Sequence, residues 1–266
     1  MTSAEMKYWF LVEYDRITNL SAPGYIDKEI SLFLTEAQKV YIENKYDFKK
    51  NRLLSGFEDS EKRRKELSEL VRDSIDQTGT NFVVKSVNQS GTYINGVFFD
   101  LPDNVMYVIG ETAYITGSAL CIPNQYAVTK GLTGYTAGGT TKMVDVQPVT
   151  HDEIAANIRN PFKKPDEWLL WRVDVESRGN KKRHEIIGNG EYTISDYRIR
   201  YIKVPRPIIT ANIAPDTIGG QNGPLDCELS SVTHNEIVRI AVSLALEAVA
   251  DPRYQTNKVE QVQNES

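Results

Sequence analysis

The chain has 266 residues, 40% of them hydrophobic and 25% charged, which are values of a globular protein with room for one large domain or two ordinary ones. Its net charge of -5 argues against a protein whose main task is gripping nucleic acid, because phosphate binding depends on concentrated Lys and Arg. Two cysteines, Cys121 and Cys227, are too few for a disulfide framework and lack metal-ligand spacing, so they read as reduced core residues of a cytosolic protein.

Met1 to Tyr8 lacks a basic start followed by an apolar stretch, so no signal peptide is expected. Ile26, Ile30, Phe33, Leu34, Ala37, Val40 and Tyr41 recur at helical spacing and predict an amphipathic helix over 26–46. Ala22-Pro23-Gly24 stops anything helical before it. A second helix is predicted near 60–76, with Leu67, Leu70, Val71 and Ile75 on one face and Glu61 four residues before Lys65 on the other.

From Thr80 the period changes to two. Strands are predicted at 81–87, 92–101, 105–115 and 141–147, then at 168–175, 185–187 and 192–204. A short helix over 151–158 interrupts them and ends before Asn160-Pro161. Residues 205–224, rich in Pro and Gly and without periodicity, read as a connecting arm.

The last helix carries the fullest start signal. Thr233 and Glu236 are spaced as a capping box, with Val232 and Ile237 placed as a hydrophobic staple. The same device, Thr150 with Glu153 and Val149 with Ile154, opens the short helix. The helix is expected to reach Ala250, before Asp251-Pro252. It is too short, and too interrupted by Arg239, Ser243 and Glu247, to span a bilayer, so no membrane is expected; the sequons at Asn19 and Asn88 then carry no meaning.

Candidate chemistry is sparse. His151 and His234 occupy the first positions of capped helices, where a side chain usually faces solvent. His184 follows Lys181-Lys182-Arg183 at an expected loop tip, with no Cys or His nearby for a metal. The run Gly131 to Lys142 is glycine-rich, but Thr140-Thr141 stands where a phosphate loop needs Lys-Ser/Thr and a strand follows, so a hairpin connection is the better reading. Lys62-Arg63-Arg64-Lys65 sits among Glu58, Asp59, Glu61, Glu66 and Glu69 and reads as a solvated helix face. Asp100 and Asp103 bracket a proline turn and do not make a glycosidase pair. No catalytic residue, cofactor or metal site is expected.

Two features favour assembly. The final helix has one polar stripe, Arg239, Ser243 and Glu247, and is apolar elsewhere from Ile237 to Val249. Such a helix is buried on several sides, as a core helix or with a neighbouring subunit covering one side. Residues 159–206 hold twelve Lys or Arg against seven Asp or Glu, leaving the remainder of the chain at -10. Opposed charge on different surfaces suits a head-to-tail contact, which closes into a ring when the rotation permits; chance scatter is the alternative.

Several stretches carry a family likeness: Gly24-Tyr25-Ile26-Asp27-Lys28-Glu29-Ile30 through Leu34 and Ala37-Gln38, then Gly56-Phe57 and Thr150-His151-Asp152-Glu153. Asn160-Pro161-Phe162-Lys163-Lys164-Pro165 and His234-Asn235-Glu236-Ile237-Val238, running to Asp251-Pro252-Arg253-Tyr254, complete the set. In these the chain resembles the neck ring (adaptor) proteins of crAss-like, short-tailed bacteriophages.

The resemblance implies an α+β subunit. Residues 1–79 and 225–266 would form a helical part that docks on a portal, and 80–224 an inserted β-rich domain, sandwich- or barrel-like. It further implies a virion protein assembled in the host cytoplasm into a homo-oligomeric, typically twelve-fold ring between portal and tail, through which DNA passes. It supplies no catalytic motif. A dodecamer at -5 per chain totals about -60, and an acidic channel wall would let DNA slide rather than adhere.

Two rivals are open to the sequence. A tail-associated recognition module would use exposed Trp or Tyr in the β-rich part, with Trp168, Trp171 and the tyrosines from Tyr192 to Tyr201 as candidates, although both tryptophans are expected to pack in the sheet. A cell-wall hydrolase would need paired carboxylates or a metal, and the sequence offers neither.

Overall fold

The computed structural model describes residues 1–18, 24–47, 61–74, 84–90, 96–117, 141–178 and 181–249. The chain divides into two compact units, one made of Met1–Leu70 with Pro205–Ser266 and the other of Val71–Val204.

The first unit is helical: α1 (Ser3–Thr18), α2 (Asp27–Tyr46), α3 (Glu61–Leu67) with a single 3-10 turn at Ser68–Leu70, and near its end a long apolar helix over His234–Ala248. Helix α1 has no counterpart in the sequence expectations. Thr2 and Glu5 start it reciprocally, Thr2 N–H donating to Glu5 Oε2 at 2.9 Å and Glu5 N–H to Thr2 Oγ1 at 3.3 Å. Met6, Phe10 and Tyr14 then bury one stripe at four-residue spacing. Helix α2 lies where expected and buries Ile30, Leu34, Ala37, Tyr41 and Ile42. The helix predicted over 60–76 is shorter: after the 3-10 turn, Val71–Asp73 continues as a strand of the second unit, so only Leu67 and Leu70 of its expected apolar face belong to the helical segment.

The apolar helix packs against both α1 and α2. Ile237, Val238, Ala241, Val242, Ala245 and Leu246 are buried, Ile240 and Leu244 are half-buried, and Arg239 and Glu247 face out. One copy of the chain therefore covers its buried face, the core-helix alternative of the two that the sequence left open. The physical reason is α1, an extra covering helix that the sequence reading did not count.

Tyr25 locks this arrangement. Its hydroxyl donates to the Ala245 carbonyl at 2.8 Å, and its ring meets Tyr14 and Phe33 edge-on at 5.2 and 5.1 Å. Lys45 of α2 reaches Glu236 at 3.0 Å and Glu66 of α3 at 3.8 Å, joining three helices through one ammonium. The expected capping box at Thr233 is not formed. Thr233 has helical backbone angles, and its hydroxyl donates to Ser230 O at 2.8 Å, while Val232, the expected staple, is 75% exposed.

Residues 205–224, expected as an arm of the β-rich part, fold with the terminal segments. Ile209, Ile213 and Ile218 cluster with Leu225, and Ile209 and Leu225 exchange both backbone hydrogen bonds. Ser31 and Thr35 of α2 accept from the N–H groups of Thr210 and Ile208, each at 3.1 Å, so the irregular chain finds its backbone partners on the helix. Gly219 and Gly220 turn this segment with φ of +58° and +79°, angles that side chains rarely adopt.

The second unit is one sheet. Its strands are β1 (Val71–Asp73), β2 (Val84–Ser90), β3 (Gly96–Asp100), β4 (Val105–Thr116), β5 (Thr141–Pro148), β6 (Leu169–Arg178), β7 (Lys181–Ile187) and β8 (Thr193–Lys203), in the order β1-β8-β4-β5-β6-β7-β3-β2. Every pairing is antiparallel except β5 with β6. A parallel pair requires a crossover, and α4 (His151–Asn157) supplies it. Its capping box forms as expected, with Glu153 N–H donating to Thr150 Oγ1 and Thr150 N–H to Glu153 Oε2.

Alternation sorts the strands into two faces. Phe99, Ala113, Ile115, Val144, Leu170, Ile186, Ile194, Tyr197 and Ile199 form one core, whereas Trp171, Val173 and Ile187 point the other way and are roofed by Ile154 of α4. Within the sheet runs a polar chain. Tyr197 donates to Glu111 Oε2 at 2.6 Å and accepts from His184 Nδ1 at 2.8 Å. The His184 Nε2 lies 3.1 Å from both Arg172 Nη1 and Asp174 Oδ1. Strands β4, β8, β7 and β6 are thus linked by side chains as well as by backbone.

Two outcomes are expected. With α5 now denoting His234–Ala248, Ala245→Glu places a carboxylate on the helix's fully buried face and costs at least about 4 kcal/mol, so the thermal midpoint falls sharply or folding fails; a melt like that of wild type would refute the burial. Tyr197→Phe strips His184 Nδ1–H and Glu111 of their shared partner and costs about 1–3 kcal/mol in chemical denaturation, with the native circular dichroism retained.

Candidate functional site

The residues weighed for chemistry are dispersed. His151 is exposed on the first turn of α4. His234 faces inward instead of to solvent, 97% buried, with Nε2 donating to Leu229 O at 2.9 Å; with no box at Thr233, the segment before α5 curls back to meet the ring. His184 lies within β7, not at a loop tip, and is buried. Asp100 pairs with Arg183, and Asp103 is exposed at the turn before β4. Of Lys62 to Lys65, Arg63 is buried, the other three are exposed, and Lys62 reaches Glu66 at 3.8 Å. The glycine-rich run 131–140 lies outside the described residues, as does Cys121. Among the described residues no group of three or more His, Cys, Asp or Glu is placed to hold a metal ion, and no helix is long and apolar enough to cross a membrane.

The polar chain through His184 is the place where titratable groups gather. Burial raises the Glu111 carboxyl above its ordinary range, opposed by Arg172 and by the Tyr197 hydroxyl. The Tyr197 phenol is held well above 10 by burial and by the Glu111 charge. A hydrogen bond from His184, with Arg172 adding its charge, lowers Asp174, whose carboxylate is the exposed end of the chain. Each member is engaged by the next, from the β8–β4 pair to the β6–β7 pair, which are not neighbours in the sheet, so the network ties together separate parts of it. Cys227 is equally unsuited to nucleophilic work, its thiol pushed up to about 11 by burial.

The surface is more informative. On α1 the stripe opposite the buried one carries Tyr8 (64% exposed), Trp9 and Val12, with the Tyr8 and Trp9 rings edge to face at 6.2 Å. Ile26 and Leu32 are exposed at the start and middle of α2. On the second unit Phe162 stands 96% exposed in the turn after α4. A signal for α1 was present in the sequence, since Met6, Phe10 and Tyr14 repeat every four residues.

The aromatic candidates for a recognition module are largely buried: Trp171, Tyr192, Tyr197 and Tyr201 are in the core. Trp168 departs from its expected place in the sheet. It is half exposed, its ring lying 3.0 Å from the ammonium of the buried Lys142.

The basic stretch 159–206 also resolves into parts. Arg172 is engaged by Glu111 and Asp174, Arg183 by Asp100, Arg200 by Asp73 and Arg206 by Glu228, and Lys182 donates to Val105 O. Arg198 covers the Tyr114 ring at 4.4 Å. Arg159, Lys163 and Lys164 stand exposed around Phe162. Among the described side chains these three form one exposed basic turn.

The comparisons with known proteins identify the family. The chain is similar to "Ring protein 4/5" of Bacteroides phage crAss001, 29% identical over 249 residues that cover 92% of each protein. It is also similar to "Ring protein 3" of the same phage, 30% identical over 221 residues, 82% of this chain and 83% of that one. The family model described as phage tail ring protein 3/4 matches residues 1–258, spanning both units. The chain belongs to this family of crAss-like phage tail ring proteins, which are structural components and not enzymes.

Proposed function

We propose that the chain is a virion protein that assembles, in the host cytoplasm, into a closed ring in the neck between portal and tail. Its central channel lets DNA through during packaging and ejection. Copies of this chain form the ring, with twelve-fold symmetry to match a portal, and neighbouring neck and tail proteins stack on it.

In this reading the helices from both ends of the chain form the docking part, and the sheet unit is the inserted β-rich domain. Membership of the ring family over residues 1–258 carries the proposal. The exposed apolar side chains at Tyr8, Trp9, Ile26, Leu32 and Phe162 supply surface for contacts with neighbours. The acidic balance of -5 per copy suits a channel wall on which DNA slides.

Negative-stain images of the purified protein, or of the virion neck, are expected to show closed rings whose class averages give the symmetry. A chain that stays strictly monomeric at high concentration would overturn the proposal.

A further inference from the structure

Two stretches of the chain are nearly the same, Thr150-His151-Asp152-Glu153-Ile154 and Thr233-His234-Asn235-Glu236-Ile237, and each follows a valine. They open α4 and α5, so the local forces at the two helix starts are close to equal. The two starts are nevertheless built differently.

At α4 the local preference is met. Thr150 is extended, with φ of -83° and ψ of 157°, its Oγ1 accepts from Glu153 N–H, and Glu153 accepts from Thr150 N–H. Val149 packs against Ile154 and its neighbours, and His151 is exposed. At α5 Thr233 has almost the same φ, -87°, but its ψ is -14°, and no side chain caps the helix. The N–H and the hydroxyl of Thr233 both donate to Ser230 O, at 2.9 and 2.8 Å. Val232 is left exposed and His234 is buried. At the cap residue the twins differ by one torsion, ψ, and with it the valine and the histidine trade places between surface and interior.

Contacts within the helical unit hold the α5 start in its observed form. His234 Nε2 donates to Leu229 O at 2.9 Å. Lys45 of α2 holds Glu236 at 3.0 Å, and Glu236 is the carboxylate that a capping box would use. The opposition is not without cost to this form, because the buried His234 Nδ1 finds no hydrogen-bond partner among the described residues. A local preference overridden by tertiary contacts marks an element with two competing arrangements.

We infer that the start of α5 is a two-state switch. One state is the open start described above. In the other, Thr233 takes the geometry of Thr150, Glu236 leaves Lys45 for the Thr233 N–H, Val232 folds in towards Ile237, and His234 turns out to solvent. The capped state loosens the ionic tie between α2 and α5 while leaving Lys45 beside Glu66. A contact that covers Val232 favours the open state, and one that engages His234 favours the capped state, since only a differential contact shifts such an equilibrium. The inference stands on the geometry of the single chain and is independent of the ring reading.

The test places a reporter, Val232→Cys, at an exposed position of the full chain and follows its reaction with a maleimide by mass spectrometry of its own peptide. Adding His234→Ser removes the buried anchor and should slow labelling at position 232 at least about threefold, as the capped state becomes the major one. Adding Lys45→Met instead, outside the segment, should slow it in the same direction and decides the matter if His234→Ser does not fold. Thr233→Ala added to either slowed variant should restore the fast rate, because the cap hydroxyl is then gone. Labelling that is unchanged or faster in the folded variants would overturn the switch, and so would a slowing that Thr233→Ala leaves in place.

Discussion

The helical unit depends on one burial. Helix α5 comes from the last part of the chain, and the helices that cover it, α1 and α2, come from the first. Its apolar side chains, Ile237 through Leu246, have no independent reason to be helical in water, because a segment of this length is marginal without a packed face. They become so by filling the space that Met6, Phe10, Tyr14, Ile30 and Leu34 leave between two amphipathic helices. The Tyr25 hydroxyl on the Ala245 carbonyl and Lys45 between Glu66 and Glu236 then fix how the three helices are turned. Joining the two ends of the chain in one core couples them, each burying apolar side chains of the other.

That dependence also explains what could and could not be read from the residues. Helix α2, the short helix α4 with its capping box, and most strands follow from local signals, namely periodicity and turn residues, and these are in place within a few residues. What failed was non-local. Thr233 has the residues of a capping box, but its hydroxyl is drawn to Ser230 O as the chain curls to bury His234. Residues 205–224 have no period because their isoleucines form a core across a turn, not along an element. The predicted helix over 60–76 stops at Leu70 because Val71–Asp73 is taken by the edge of β8, a pairing invisible in the local sequence. As for the candidate site, the basic stretch was legible as charge, whereas which of its cations find carboxylates was set by strand pairing that the local sequence does not show.

The sheet unit shows how a protein without a catalytic task still accumulates shifted titratable groups. Glu111, Tyr197, His184, Arg172 and Asp174 come from β4, β8, β7 and β6, two adjacent pairs separated by β5, and they engage one another with Asp174 as the exposed end. Such a chain sets strand register, because a one-residue slip of any one of these strands would send its member to the opposite face and leave the partners unpaired. Raised and lowered carboxyls in one cluster are here the mark of a sheet fastened across its width, and the chemistry they could otherwise do is closed off by their mutual engagement.

The pairing of β1 with β8 has a consequence for how the whole chain is organised. Val71 lies opposite Ile202, so the first and last strands of the sheet unit are neighbours, and the polypeptide departs and returns through adjacent points. Seen from the helical core, everything from Val71 to Val204 closes like a tight hairpin, and the large excursion imposes almost none of the entropic penalty its length suggests. A graft joined at those two points could be lengthened, trimmed or exchanged while α1, α2 and α5 kept their partners.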